Sequence, residues 1–170
     1  MKKNIIALVS WIIVLWICKV FLFSLPYKFS GHPDTQHIFG TIGLWLQDVL
    51  SAGIGDWFIQ YGAYAVGSVE LIASAILLSP LLFTVFSKLG LIKFPPQREL
   101  LHSIGGLLAT GIMTAFFHLV TPLGIEVLHE GKSDGGSLFY AAVSILILGL
   151  VLAAINLPKY WATRQSEQSL

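Results

Sequence analysis

The chain has 170 residues, of which 55% are hydrophobic and 11% are charged, and its mean hydropathy is +0.79. So few charges cannot cover the surface of a water-soluble globule, and the composition therefore indicates an integral membrane protein. Ten basic and nine acidic residues nearly cancel, so we expect no nucleic-acid partner, and a single cysteine excludes an intramolecular disulfide.

The first predicted element is an apolar run over residues 4–25, which follows two lysines. A helix needs about 20 apolar residues to cross a hydrocarbon core of about 30 Å. A signal peptide would have a shorter apolar core and a small-residue cleavage site, and this run has neither. We therefore predict an uncleaved first span that ends at Pro26.

The connection over residues 27–56 is too long for a simple turn. It contains Gly31-His32-Pro33-Asp34-Thr35, in which Asp34 or Thr35 can cap a helix. Apolar residues then recur at helical spacing: Ile38, Ile42, Trp45, Leu46 and Val49. The pattern predicts a short amphipathic helix on the membrane surface, followed by Gly53-x-Gly55 as loop glycines.

The second predicted span covers residues 57–86 and has one carboxylate, Glu70, among apolar neighbours. One stripe of this helix carries Ala63, Gly67, Glu70, Ser74 and Leu77. Small residues on this stripe let other helices approach closely. A carboxylate facing lipid costs several kcal/mol, so we expect Glu70 to point into the bundle, paired or protonated, as a candidate functional group.

Two further spans are predicted over residues 101–120 and 138–157. A basic segment with Pro95-Pro96 precedes the third span, which has Gly105, Gly106 and Gly111 for close helix packing. The loop between the two spans holds acids and a histidine: Glu126, His129, Glu130 and Asp134. The whole chain is therefore predicted to be one all-α transmembrane domain, a four-helix bundle with a short amphipathic helix between its first and second spans.

The orientation follows from where the basic residues lie. Four spans place both termini on one side, and seven of the ten basic residues belong to that side and the middle loop. By the positive-inside rule both termini are cytoplasmic, and we expect a multi-pass protein of a bacterial inner membrane.

Several polar residues have two interpretations. Lys19 either extends its ammonium to the membrane interface or pairs with Glu70. His118 either anchors the interface or faces the bundle near Glu70. Histidines and acids at the outer face, among them His32 and His37, can pass protons or hydrogen-bond a quinone head group, but no pair has a diagnostic metal-ligand spacing, so no metal site is predicted.

The order of these features resembles the DoxX family of small four-helix membrane proteins. The matching segments are Phe23 with Tyr27-Lys28-Phe29, Gly31-His32-Pro33-Asp34-Thr35, Gly67-x-x-Glu70-Leu71, Phe117-His118 and Gly135-Gly136-Ser137. The resemblance implies a bundle distantly similar to quinone-linked thiol-oxidising proteins, in a family associated with thiosulfate:quinone oxidoreduction, responses to thiol oxidative stress and assembly of other membrane proteins. The resemblance carries over Lys28, His32 and Glu70 as site positions. The chain differs from the family members that use a pair of cysteines, because Cys18 is its single cysteine.

We therefore expect the membrane subunit of a quinone- or thiol-linked redox pathway, with a quinone or similar apolar ligand in an outward-opening cavity. Glu70 and His118 are the catalytic candidates, and the ligand-binding candidates are Lys19, Lys28, His32 and His37. The partners expected are the lipid bilayer and another membrane or periplasmic redox protein. Two questions are left open by the sequence: whether the chain is an enzyme, and whether it forms a homo-oligomer. The alternative is a non-catalytic scaffold or escort for another membrane protein, whose contact surface would be the short amphipathic helix with Trp45. A small transporter has less support because the chain lacks clear inverted halves.

Overall fold

The computed structural model describes residues 2–92, 97–129 and 131–168. Over these residues the chain forms α1 (Lys2–Phe29), α2 (Pro33–Val49), α3 (Ala52–Lys88), α4 (Arg98–Val120) and α5 (Ser137–Gln168). A short antiparallel hairpin of β1 (Leu128–His129) and β2 (Lys132–Ser133) lies between α4 and α5. The sequence patterns did not predict this hairpin. Lys93, Pro95, Pro96 and Glu130, which entered the loop predictions, lie outside the described residues.

Helices α1, α3, α4 and α5 are long and apolar enough to cross a membrane. This agrees with the prediction of an all-α bundle with four spans, and α2 is the predicted short helix between the first and second. The sequence stripe on α3 is also confirmed, because Gly67, Glu70 and Ser74 are all buried.

Pro26 does not end the first helix as predicted. α1 continues through Pro26 to Phe29, and α5 continues through Pro158 to Gln168. A proline removes one backbone N–H donor and bends a helix, but the next turn can still form. In α1 the amide of Ser30 donates to the Pro26 carbonyl at 3.0 Å, so the helical pattern carries on past the proline.

Helix α2 packs antiparallel on the first part of α3, and two glycines mark the crossing. A Cβ at Gly43 would lie 2.9 Å from the Gly55 carbonyl oxygen, and one at Gly55 would lie 2.5 Å from the Gly43 oxygen. The rings of Phe39 and Phe58 pack beside this crossing, 5.7 Å apart. The prediction that Gly55 is a loop glycine is therefore wrong, because α3 begins at Ala52 and needs Gly55 for close approach.

The hydrophobic core of the bundle lies between its long helices. It contains fully buried side chains from all four long helices, including Ile17, Leu77, Ala109 and Ile145. Helices α4 and α5 cross where a Cβ at Gly106 would lie 2.7 Å from the Gly149 carbonyl oxygen. The expected close packing at Gly111 is not found, because no atom lies within 4 Å of a Cβ built there.

His102, in the first half of α4, is fully buried. Its ring meets the edge of Trp11, with the two ring centres 4.8 Å apart. Nearby in the same part of the core, the Asn156 amide donates to the Ser10 hydroxyl at 3.1 Å. Polar groups are thus tolerated inside the bundle on both sides of its centre.

Candidate functional site

The site is organised around Glu70, which lies near the middle of α3 and is only 3% exposed. Gly67, one turn earlier, lets the end of α1 come close. A Cβ at Gly67 would lie 3.2 Å from the Phe29 ring and 3.4 Å from the Lys28 side chain. The missing side chain therefore allows Lys28 to reach over α3 to the carboxylate.

Both oxygens of the Glu70 carboxylate accept hydrogen bonds from α1. The Lys28 ammonium donates to Oε2 at 2.8 Å and to Oε1 at 3.0 Å. The Ser24 hydroxyl is 2.7 Å from Oε2, and it lies 2.8 Å from Lys28 Nζ. The Lys28 and Glu70 side chains are 15% and 5% exposed. A buried ion pair of this kind needs further hydrogen bonds to offset its desolvation, and Ser24 provides one.

Lys28 and not Lys19 is the partner of Glu70, so the interpretation that Lys19 pairs with this acid is wrong. Lys19 is exposed, and its ammonium lies 5.4 Å from the centre of the Trp16 ring. A cation over the face of a tryptophan is stabilised by the ring's quadrupole. Ser24 was not singled out from the sequence, although its spacing of four residues from Lys28 places both on one face of α1.

A cavity of about 730 Å³ adjoins the ion pair. All five helices contribute to its wall, which is mainly apolar. Its apolar side chains include Phe21, Phe39, Ile112, Met113, Phe116 and Leu138. Ser24, Lys28 and Glu70 form one polar region of this wall. A large apolar cavity with a few convergent polar groups is the usual form of a site for a small molecule.

The cavity opens through the side of the bundle. Trp16 and Phe23 of α1 and Val69 of α3 line it, and they are also 40%, 73% and 38% exposed on the outer surface. Both of the helices to which these residues belong, α1 and α3, are apolar enough to cross a membrane. A molecule dissolved in the bilayer would therefore have a lateral route to Glu70.

The predicted histidines do not join Glu70. His118 is exposed, its Nδ1 lies 2.9 Å from the Thr114 carbonyl oxygen, and it is not in the cavity wall. The interpretation that His118 faces Glu70 is therefore wrong, and its exposed position fits the interface-anchoring alternative. His37 is also exposed on α2 and outside the wall.

His32 has a structural role beside the cavity. Its Nδ1 accepts a hydrogen bond from the Asp34 backbone amide at 3.3 Å, so His32 is the N-cap of α2, whereas Asp34 or Thr35 had been expected to cap it. Asp34 and Thr35 are instead buried in the first turn and line the cavity. The cap pattern at this point predicted the start of a helix, but nothing in it indicated that these two side chains line the same cavity as Glu70.

The fold and site define the chain as a multi-pass α-helical membrane protein with a lateral cavity beside a buried ion pair. Among residues 2–92, 97–129 and 131–168 no three side chains of His, Cys, Asp or Glu come together as a metal-ligand set. No family model, curated protein or solved structure matches the chain. The resemblance to the DoxX family therefore stays a prediction.

Proposed function

We propose that this chain is a DoxX-like protein of a bacterial inner membrane that binds a quinone or similar apolar molecule in the cavity beside Glu70. In this proposal it serves as the membrane subunit of a quinone- or thiol-linked redox pathway. The observation that supports it is the combination of an apolar cavity of about 730 Å³ with a buried ammonium–carboxylate pair in its wall. The ring and tail of a quinone suit the apolar wall, and its oxygens suit the polar region.

The ion pair would bind the head group and exchange protons with it. Lys28 donates to Ser24 at 2.8 Å, and a head-group oxygen could replace that acceptor. Glu70 is the carboxylate next to this position and could take up one of the two protons that a quinol releases on oxidation, and the second proton would pass to water at the membrane surface. These roles fall to α1 and α3, which already hold the two groups in contact.

The two electrons of such an oxidation would pass to a partner protein with a redox centre. The chain has a single cysteine, Cys18, so it cannot hold them as an internal dithiol. Cys18 is also buried, with its sulfur 3.9 Å from the Ser74 carbonyl oxygen. Another membrane or periplasmic redox protein is therefore part of the proposal.

The test is binding of a quinol to the purified protein. We expect decylubiquinol to raise the melting temperature of the wild type, and Glu70→Gln to abolish this shift. Glu126→Gln is the matched control, because Glu126 is exposed and outside the cavity wall. An equal shift in Glu70→Gln and the wild type would contradict the proposed site.

A second function, a scaffold or escort for another membrane protein, is favoured by a different observation. The end of the α2–α3 hairpin exposes large apolar side chains: Leu44, Val49, Leu50, Ile54 and Trp57. A photo-crosslinker at Trp45, which is half-buried beside them, should then recover one stoichiometric partner from cells. A crosslinked second copy of this chain would indicate a homo-oligomer, and lipid adducts alone would count against a scaffold.

A further inference from the structure

The cavity has a second polar region around Asp34, at the start of α2. The Asp34 side chain is 10% exposed and lines the cavity together with Thr35. Its Oδ1 accepts a hydrogen bond from the Gly131 backbone amide at 3.2 Å, which ties α2 to the hairpin between α4 and α5. Its Oδ2 is buried and has no hydrogen-bond partner among the described residues.

The nearest cationic candidate does not supply that partner. His32 Nδ1 lies 3.5 Å from Asp34 Oδ2, but the same nitrogen accepts the Asp34 backbone N–H at 3.3 Å. A nitrogen that accepts this bond carries no proton with which to donate to Oδ2. His32 Nδ1 therefore serves as the cap acceptor of α2, and it does not donate a hydrogen bond to Asp34 Oδ2.

Asp34 differs in this respect from Glu70, the other carboxylate considered above. Both Glu70 oxygens already have donors, from Lys28 and Ser24. Leaving a buried acceptor unsatisfied costs about 1–3 kcal/mol, and more when the group is charged. Asp34 is therefore a cavity-lining carboxylate with one oxygen that has no donor among the described residues.

We infer that Asp34 is a ligand-binding residue that accepts a hydrogen bond from a hydroxyl group on a neutral, lipid-soluble molecule in the cavity. This inference rests on the proposed function only in that the cavity binds a small apolar molecule. A neutral hydroxyl is favoured because the lateral opening is mainly apolar and its charged side chain, Lys19, is itself a cation. A charged ammonium would lose far more hydration on the same route. The site consequently selects molecules that donate over molecules of equal shape that only accept.

The test compares two probes that differ in one donor, 4-nonylphenol and its methyl ether 4-nonylanisole, on the full-length protein in detergent. The quantity measured is the ratio of their dissociation constants. A charge-assisted hydrogen bond makes the phenol bind about 10- to 100-fold more tightly than its ether, after correction for their partition into micelles. Dividing the ratio of dissociation constants in a variant by the same ratio in the wild type cancels the effect of micelle partition, because both proteins are measured in the same micelles.

Asp34→Asn is the informative variant, since an amide keeps the size of the side chain and can place a donor at the position of Oδ2. We expect it to reduce the phenol preference at least tenfold while the ether still binds, which also shows that the cavity is folded. Asp48→Asn is the control, because Asp48 is an exposed acid on the same helix, and it should keep the wild-type ratio. An unchanged ratio in Asp34→Asn would overturn the inference.

A cavity-filling variant separates this outcome from failure of the proposed function. Ala141 is half-buried and lines the cavity from α5, so Ala141→Trp should abolish binding of both probes. If both probes bind Ala141→Trp as they bind wild type, they do not occupy the cavity, and the proposed site fails together with the inference. If Ala141→Trp blocks both probes and only the Asp34→Asn ratio stays unchanged, the cavity is a binding site but Asp34 is not its acceptor.

Discussion

Glu70 and Lys28 are 42 residues apart in sequence, yet they form the shortest ion pair between helices among the described residues. A carboxylate inside a membrane bundle is stable only when a proton or a cation compensates it. Here a cation and a hydroxyl do so together. Because each group is buried, removing one partner leaves the other with its desolvation penalty and no attraction to offset it.

We therefore predict a strong, non-additive effect of mutating this pair. Glu70→Gln and Lys28→Met should each lower the free energy of unfolding by about 3–5 kcal/mol, and the double variant should lose clearly less than the sum. SDS titration of the purified protein measures this. Additive losses would mean that the two side chains do not interact in the membrane-embedded protein.

The more exposed ion pair of Arg98 and Glu99 serves as the comparison. Their side chains are 33% and 25% exposed, so water screens the interaction and its contribution is small. Glu99→Gln should therefore cost about 1 kcal/mol or less. A loss as large as that of Glu70→Gln would show that burial is not what makes the Lys28–Glu70 pair important.

At the scale of elements, the position of α2 decides whether the cavity is closed on its outer side. Asp34, Thr35 and Phe39 come from α2 and line the cavity. The helix is held against α3 by the glycine crossing at Gly43 and Gly55. The ligand site therefore depends on this close helix contact, beside which the Gln47 amide donates to Asp56 Oδ1 at 2.7 Å.

Gly43→Ala should displace α2, because the new Cβ would lie 2.9 Å from the Gly55 carbonyl oxygen. Overpacking of this kind costs about 1–3 kcal/mol. We expect a lower melting temperature together with weaker binding of decylubiquinol. Gly40→Ala on the same helix has no atom within 4 Å of its Cβ, so it should leave both properties unchanged or raise stability slightly. Equal behaviour of the two variants would contradict the crossing.

For the whole molecule, helix lengths show how the bundle meets a bilayer. α3 has 37 residues, which is about 55 Å at 1.5 Å per residue, whereas the hydrocarbon core is about 30 Å thick. The 23 residues of α4 match that core much more closely. The extra length of α3 is the part that pairs with α2, so we expect the α2–α3 hairpin to reach beyond the outer ends of α1 and α4.

The proposed orientation makes a labelling prediction in a Cys18→Ala background. Lys132→Cys, in the hairpin between α4 and α5, should react with a membrane-impermeant maleimide in intact spheroplasts. Thr163→Cys, near the end of α5, should react only after lysis. The reverse pattern would show that the termini face outward, and labelling of both in intact spheroplasts would contradict four crossings.

Length, composition and period were enough for the sequence to determine four apolar helices, a short helix after the first, and a Glu70 that points inward. These features follow from local rules, because the bilayer fixes helix length and a 3.6-residue period fixes which face Glu70 shares with Gly67 and Ser74. The tertiary structure alone decided that Lys28 pairs with Glu70, that His118 faces away, and that Asp34 joins the cavity. Such partners depend on the rotation and height of helices far apart in sequence. The predicted end of the first span at Pro26 left Lys28 in the loop, whereas α1 continues to Phe29 and keeps Lys28 on the helix face of Ser24.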